Sequence, residues 1–301
     1  MPDRSGQVMV IYWALILGVA ILNIESTWIP RAARDSKFLL NLENDPELLV
    51  VLCHGWHGHL TRTWGDFEAI YQEFQDLQVA DVLFLGYRKS PTAIDLLASF
   101  FADALRDVFP DYSHVGGEVT RSYSKLLLIG HSMGSLAIRR ALVQMNKRRD
   151  KCDSCRLICE STELLLFACP QKGVDWEIYT NAVEGFTPWK GLRGLLAAVR
   201  KVKEPVSDDL AVDSAFLKKL RFETEEILKS ESPFPKAELI LGMEDRVIEA
   251  NDLDDYPYLD DDCEVWPGHD HTTLCKVKYP DHAQQPLQLF MQKIREQGAS
   301  G

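Results

Sequence analysis

The sequence has no basic block. Its 33 Lys and Arg are scattered among 45 Asp and Glu, for a net charge of −12. Affinity for a phosphate backbone rests largely on clustered Lys and Arg, so nucleic acid is set aside as a partner. No internal repeat and no low-complexity segment is present. With 46% hydrophobic and 26% charged residues the chain is globular, neither disordered nor collagen-like. Its 301 residues suit one large α/β domain or two small ones. Zinc-protease H-E-x-x-H spacing is missing. The seven cysteines (Cys53, Cys152, Cys155, Cys159, Cys169, Cys263, Cys275) are an odd number in a chain large enough to stabilise itself. No disulfide framework is implied, and a reducing compartment fits better. Cys152-x-x-Cys155, followed by Cys159, has the spacing of a redox pair or half a zinc site, but there is no second C-x-x-C, and its setting, KRRDKCDSCR, reads as a solvated loop. The acidic run at 252–264 (DLDDYPYLDDDCE) lacks the glycine and glutamate at calcium-loop spacing and also reads as a solvated loop, one that repels anionic substrates.

A hydrophobic run of about 20 residues, the length that spans a bilayer, is missing too. The longest, Val8 to Leu22, has 15 residues and only the Tyr12 hydroxyl and Trp13 indole as polar groups; Asn23-Ile24 could extend it at some cost. Three readings compete: a signal-peptide core with Gly18-Val19-Ala20 as a weak cleavage site, a membrane anchor, and a helix buried on the protein. The anchor is favoured. Arg31, Arg34 and Lys37 follow the run, whereas Arg4 before it is offset by Asp3. The positive-inside rule then leaves a membrane-associated protein whose catalytic domain faces the cytoplasm, with a soluble cytoplasmic protein as the alternative. Residues 1–37 are accordingly expected to be anchor and linker, and 38–301 the catalytic domain.

Within that domain short apolar runs alternate with helical patterns. Leu48–Cys53, Asp81–Gly86, Lys125–Gly130, Leu164–Ala168 and Ala237–Gly242 read as strands, with a shorter one at Glu264–Trp266. Apolar spacing predicts helices over Asp66–Leu77, from the Ser90-Pro91 cap through Asp107, over Ser135–Lys147 and over Pro286–Arg295. Alternation of this kind predicts an α/β class, a doubly wound, mostly parallel sheet with helices on both faces. Residues 175–229 break the rhythm with two helix-like stretches, and are expected to be a cap-like insertion over the carboxyl edge of the sheet, where ligands bind.

Gly130-His131-Ser132-Met133-Gly134 is a G-x-S-x-G segment between a strand and a helix. A nucleophile on so sharp a turn needs close backbone approach on both sides, which the two glycines permit. Serine needs a base, and the base an acid to orient it. In chain order Ser, acid, His, the acid follows the late strand Ala237–Gly242: Asp245, with Glu244 as fallback. Only His269, His271 and His282 follow. His282, at the start of the last helix, reads as a surface residue, and His269 and His271 remain open. The oxyanion of the tetrahedral intermediate needs two N–H donors, one from Met133 and one from the loop His54-Gly55-Trp56-His57-Gly58, with Trp56 the expected donor. A metal held by His54, His57 and His59 is the weaker reading of that loop. No metal or organic cofactor is required.

HGWHG after a strand, GHSMG at the turn, GMED after a late strand and a terminal histidine together resemble the α/β-hydrolase superfamily. More narrowly they are similar to serine esterases of the GPI-inositol-deacylase-like and SERAC-type lipid hydrolases. These show H-G-[LW]-x-G…TW, here His54–Gly58 and Thr63-Trp64, and a histidine followed by two small residues, an aliphatic one and a lysine. His271-Thr272-Thr273-Leu274-Cys275-Lys276 fits that pattern, and the resemblance thereby selects His271 over His269. Many members carry T-P-H-x-G after the sixth strand, where this chain has Cys169-Pro170-Gln171-Lys172-Gly173 and loses the histidine. The resemblance implies hydrolysis of a small-molecule or lipid ester through an acyl-enzyme. An acyltransferase using the same serine and a non-catalytic binding protein on the same fold are the alternatives.

Overall fold

The computed structural model describes residues 24–27, 36–41, 44–74, 77–87, 93–113, 120–175, 205–230, 232–248, 259–278 and 285–298. Among the described residues ten strands run in chain order: β1 (Ile24–Thr27), β2 (Lys37–Asn41), β3 (Leu48–Cys53), β4 (Ala80–Leu85), β5 (Asp111–Ser113), β6 (Thr120–Ser122), β7 (Lys125–His131), β8 (Thr162–Phe167), β9 (Ala237–Gly242) and β10 (Leu259–Trp266). Eight of them form one sheet in the order β1-β2-β4-β3-β7-β8-β9-β10. From β4 to β10 every pairing is parallel, while β1 and β2 add an antiparallel margin. Strands β5 and β6 pair only with each other.

Strands β3 and β4 are buried along their whole length, and β7 from Leu126 on, because helices cover both faces. Helices α1 (Phe67–Glu73), α2 (Ile94–Val108), α3 (Met133–Asn146) and α4 (Asp153–Ser161) precede the insertion, whose described part is α5 (Pro205–Leu210) and α6 (Ala215–Lys229); α7 (Gln285–Gly298) closes the chain. Helix α2 buries Ile94, Leu97, Ala98, Phe101, Leu105 and Val108, spacings of three and four that make one continuous stripe. That helix packs on α3. Phe290 of α7 meets Trp64, Phe67 and Phe167 ring to ring, joining α7 to α1 and the sheet. The architecture is the α/β class the sequence predicts: a mostly parallel sheet, helices on both faces and a helical insertion. The insertion returns along the carboxyl edge, where Val174 bridges Ala211 and Asp209 accepts the Ile94 N–H at 2.8 Å. Residues 176–204 of it lie outside the described residues.

After β3 the chain builds β4 on one side, then crosses to β7 on the other. The loops leaving β3 and β7 therefore diverge, and a crevice opens between them at the carboxyl edge. Cys53 is in register with Gly130, so the His54 loop stands level with Ser132.

Several expectations are corrected. No helix among the described residues is long and apolar enough to cross a membrane. Val8–Leu22 lies outside them, and its extension through Ile24 is unavailable because Ile24 is already paired with Asn41 in the sheet. The membrane anchor, the membrane association and the cytoplasm-facing localisation built on it are withdrawn. Strands β1 and β2 were hidden by polar neighbours and by brevity. The acidic run becomes strand β10 from Leu259 on: Leu259 and Cys263 to Trp266 pair with β9, and the register shifts between Leu259 and Cys263. Helix α3 starts at Met133, two residues before Ser135. Ser90 and Pro91 lie outside the described residues, and helix α2 begins at Ile94. Cys152 and Cys155 are bridged at the start of α4, a pairing that the reading of this segment as a solvated loop did not expect; the other five cysteines are free.

Candidate active site

Strand β7 delivers the chain into a turn of one residue. Ser132 has φ 54° and ψ −128°, a region L-residues rarely occupy, and α3 starts at the next residue. Two bonds hold the strain: the Ser132 N–H donates to Phe167 O (2.8 Å) and the Ser135 N–H to Ser132 O (2.9 Å). A Cβ on Gly130 would stand 2.6 Å from Ser135 Cα, and one on Gly134 2.4 Å from the His54 carbonyl oxygen. Both flanking glycines are thus dictated by backbone contact.

Ser132 Oγ lies 3.0 Å from His271 Nε2, and His271 Nδ1 lies 2.9 Å from Asp245 Oδ2. The Asp245 side chain is fully buried, and its Oδ1 accepts the Val247 and Ile248 N–H groups at 2.8 and 3.0 Å. A carboxylate only accepts, so His271 Nδ1 carries the proton and Nε2 offers its lone pair to the serine hydroxyl. Of the alternatives, Glu244 is exposed and gives only its backbone N–H, to His269 O. His269 packs against Trp266 at 5.7 Å, away from these contacts. His282 lies outside the described residues.

The turn that carries His271 is braced from three sides. Asp270 Oδ1 accepts the Thr272 and Thr273 N–H groups at 2.8 and 2.9 Å, and both threonine hydroxyls. Partial burial opposes its charge, but these bonds prevail and hold its carboxyl below the usual range. His131, buried beside Ser132, donates Nε2–H to the His271 carbonyl at 2.7 Å. Burial, aided by His271 nearby, pushes the His131 ring down to about 3, so it is neutral at neutral pH. On the third side Val277 N–H donates to Trp64 O and Val277 O accepts the Asp66 N–H. The Thr63-Trp64 pair of the early motif thus straps down the chain leaving the histidine.

Across the crevice Gly55 abuts the serine: a Cβ there would be 2.8 Å from Ser132 Cβ. Trp56, half-buried, follows it, and Met133 opens α3 with an N–H that has no intrahelical acceptor. His54 Nδ1 donates to Gly55 O, and His59 Nδ1 accepts the Thr61 and Arg62 N–H groups. Among the described residues no group of three or more His, Cys, Asp or Glu side chains could hold a metal. Gln171, at the departure from T-P-H-x-G, accepts from Arg139 of α3 at 3.2 Å. Sequence reasoning missed His131 and also Tyr87, which follows β4 and donates its hydroxyl to the Gly55 carbonyl at 2.7 Å; the partners of both are backbone carbonyls distant in the chain, and only the placement of His131 inside the G-x-S-x-G segment hinted at a role.

Residues 43–234 match the family described as "Putative serine esterase (DUF676)". No curated protein matches the chain. Among solved structures it is similar to the mature lipase BlEst2 of Bacillus licheniformis, with 16% identity and TM-score 0.51 over 85% of this chain and 94% of that one. It is also similar to YbtT, a type II thioesterase from the yersiniabactin NRPS/PKS biosynthetic pathway, with 17% identity and TM-score 0.50 over 90% and 96%. Naproxen esterase (carboxylesterase NP) from Bacillus subtilis shows 12% identity and TM-score 0.50 over 98% and 99%. At these identities the likeness is one of fold, that of the α/β-hydrolases.

Proposed function

The chain belongs to this family of serine esterases, enzymes acting on ester bonds, and from that premise we propose that it cleaves a carboxylic ester of a lipid or other acyl group through an acyl-enzyme on Ser132. Ser132 Oγ attacks the carbonyl carbon while His271 Nε2 takes its proton, and Asp245 stabilises the resulting imidazolium and holds its orientation. The Met133 and Trp56 N–H groups stabilise the tetrahedral oxyanion. Collapse of the intermediate passes the His271 proton to the leaving alcohol. His271 then draws a proton from water, which attacks the acyl carbonyl and releases the acid and Ser132. The continuous contact from Ser132 Oγ through His271 to the buried Asp245 carboxylate, 3.0 and 2.9 Å, carries this reading.

In this reading the catalytic domain begins ahead of residue 38, because β1 and β2 belong to its sheet, and the described helices of the insertion, α5 and α6, stand at the edge where the crevice opens. The half-buried Trp56 and the exposed Met243, two residues before Asp245, lend apolar surface to the same sheet edge, as an acyl chain requires. Kinship with the GPI-inositol-deacylase-like and SERAC-type lipid hydrolases is part of the proposal. It is supported by the contact of the two motif halves, Cys275 Sγ–H with Thr63 O at 3.4 Å, and by the adjoining bond of Val277 N–H to Trp64 O at 3.2 Å. Turnover of p-nitrophenyl esters of graded chain length, with a burst of one p-nitrophenol per enzyme, tests the acyl-enzyme. Repeating it with added alcohol separates hydrolysis from acyl transfer, because transfer diverts the acid product into a new ester.

A further inference from the structure

The oxyanion donor on the β3 loop is itself held by a device that the triad does not involve. The carbonyl oxygen of Gly55 receives three donors: the phenol of Tyr87 at 2.7 Å, Nδ1–H of His54 at 2.8 Å and the N–H of Gly58 at 3.0 Å. The Tyr87 oxygen also lies 3.0 Å from the His54 carbonyl, but its single proton favours the nearer Gly55. The Tyr87 and His54 rings are stacked, 4.3 Å apart and 17° from parallel, and Phe101 backs Tyr87 edge-on at 5.8 Å. Tyr87 comes from the loop after β4, 32 residues from Gly55 in sequence.

The Gly55 carbonyl and the Trp56 N–H belong to one peptide. A trans peptide is planar, and its C=O and N–H point in opposite directions. Fixing the carbonyl therefore fixes the direction of the N–H. Hydrogen bonds to the carbonyl also polarise the amide and strengthen its N–H as a donor. Resting on the function proposed above, we infer that Tyr87 and His54 are positioning residues that clamp the Gly55 carbonyl and so aim and strengthen the Trp56 N–H as an oxyanion donor. Neither touches the reacting atoms. Their effect is confined to the transition state, where negative charge appears on the substrate oxygen, and leaves binding of the uncharged ester unchanged.

The test compares wild type with Tyr87→Phe, which keeps both ring contacts and loses only the hydroxyl. His54→Gln, whose amide can donate to the same carbonyl, is set against His54→Leu, which cannot. The readouts are kcat and KM on a p-nitrophenyl ester, affinity for a trifluoromethyl ketone that forms an oxyanion on the serine, and thermal melting. Loss of a whole oxyanion donor typically costs about 10²–10³ in rate. With two of three anchors left, Tyr87→Phe is expected to lower kcat roughly tenfold. KM should stay constant and ketone affinity fall in proportion to kcat. His54→Gln should retain more kcat than His54→Leu. An active wild type whose Tyr87→Phe form keeps full kcat and ketone affinity overturns the clamp alone. So does a loss of kcat that leaves ketone affinity intact. A wild type inert towards both ester and ketone overturns the esterase reading and the clamp with it.

Discussion

At the residue scale each proposed catalytic group is fixed by contacts that leave it one chemical state. Buried Asp245 spends Oδ1 on two backbone N–H groups and keeps Oδ2 for His271. An amide cannot play both parts with the same tautomer. Asp245→Asn is therefore expected to fold normally and to lower kcat by about 10⁴-fold, with a smaller change in KM; steady-state kinetics on one ester check this. Gly134 is a second single-residue case. A methyl group there meets the backbone oxygens of His54 and Cys53 at 2.4 and 2.5 Å, contacts that only movement of the β3 loop can relieve. Gly134→Ala should cost about 1–3 kcal/mol of stability, as overpacking does, and lower kcat more than tenfold because the displaced loop carries the proposed oxyanion donor. Urea unfolding and kinetics measure the two effects separately. The spacing in G-x-S-x-G announced this crowding. The Tyr87 contact was not legible, because a hydroxyl donating to a distant carbonyl leaves no local pattern.

At the element scale, strands buried on both faces were legible as unbroken apolar runs, and the order strand, helix, strand implied parallel pairing. Leu48–Cys53, LLVVLC, is such a run, and every residue of it is buried. Elements set by pairing alone were not legible. Of β10 only the Glu264–Trp266 end reads as a strand, and its start at Leu259 is set by pairing with β9; β1 owes its place to β2. The strap between the early and late motifs is of the same kind. Gly65 has φ +64°, and a Cβ there would lie 2.0 Å from Val277 O. A side chain at that position both strains the backbone and drives the histidine-bearing segment away. Gly65→Ala is expected to destabilise the fold by about 2 kcal/mol or more and to slow covalent capture of Ser132. A variant with wild-type melting and wild-type capture rate would show that the strap does not set the position of His271.

At the scale of the whole molecule the site sits where the sheet topology demands a crevice, and buried histidine beside it couples the site to acid stability. His131 titrates near its ordinary 6.5 in the unfolded chain and at about 3 in the folded protein. Between these values the unfolded state binds the extra proton, so stability is full above pH 6.5 and is lost as pH falls toward 3. His131→Gln keeps a donor for the His271 carbonyl and has no proton to bind. Its unfolding free energy should therefore fall less steeply than that of wild type between pH 6.5 and 3, as read by denaturant titration at several pH values. Parallel curves would remove His131 as the source of the acid sensitivity.

The central claim is that Ser132 is an activated nucleophile. Its most direct test is covalent capture by a fluorophosphonate, followed by mass mapping of the adduct in wild type, Ser132→Ala and His271→Ala. The account predicts one adduct on Ser132 in wild type, none in Ser132→Ala and much slower capture in His271→Ala. A folded wild type that takes up no probe, or takes it up at another residue, contradicts it.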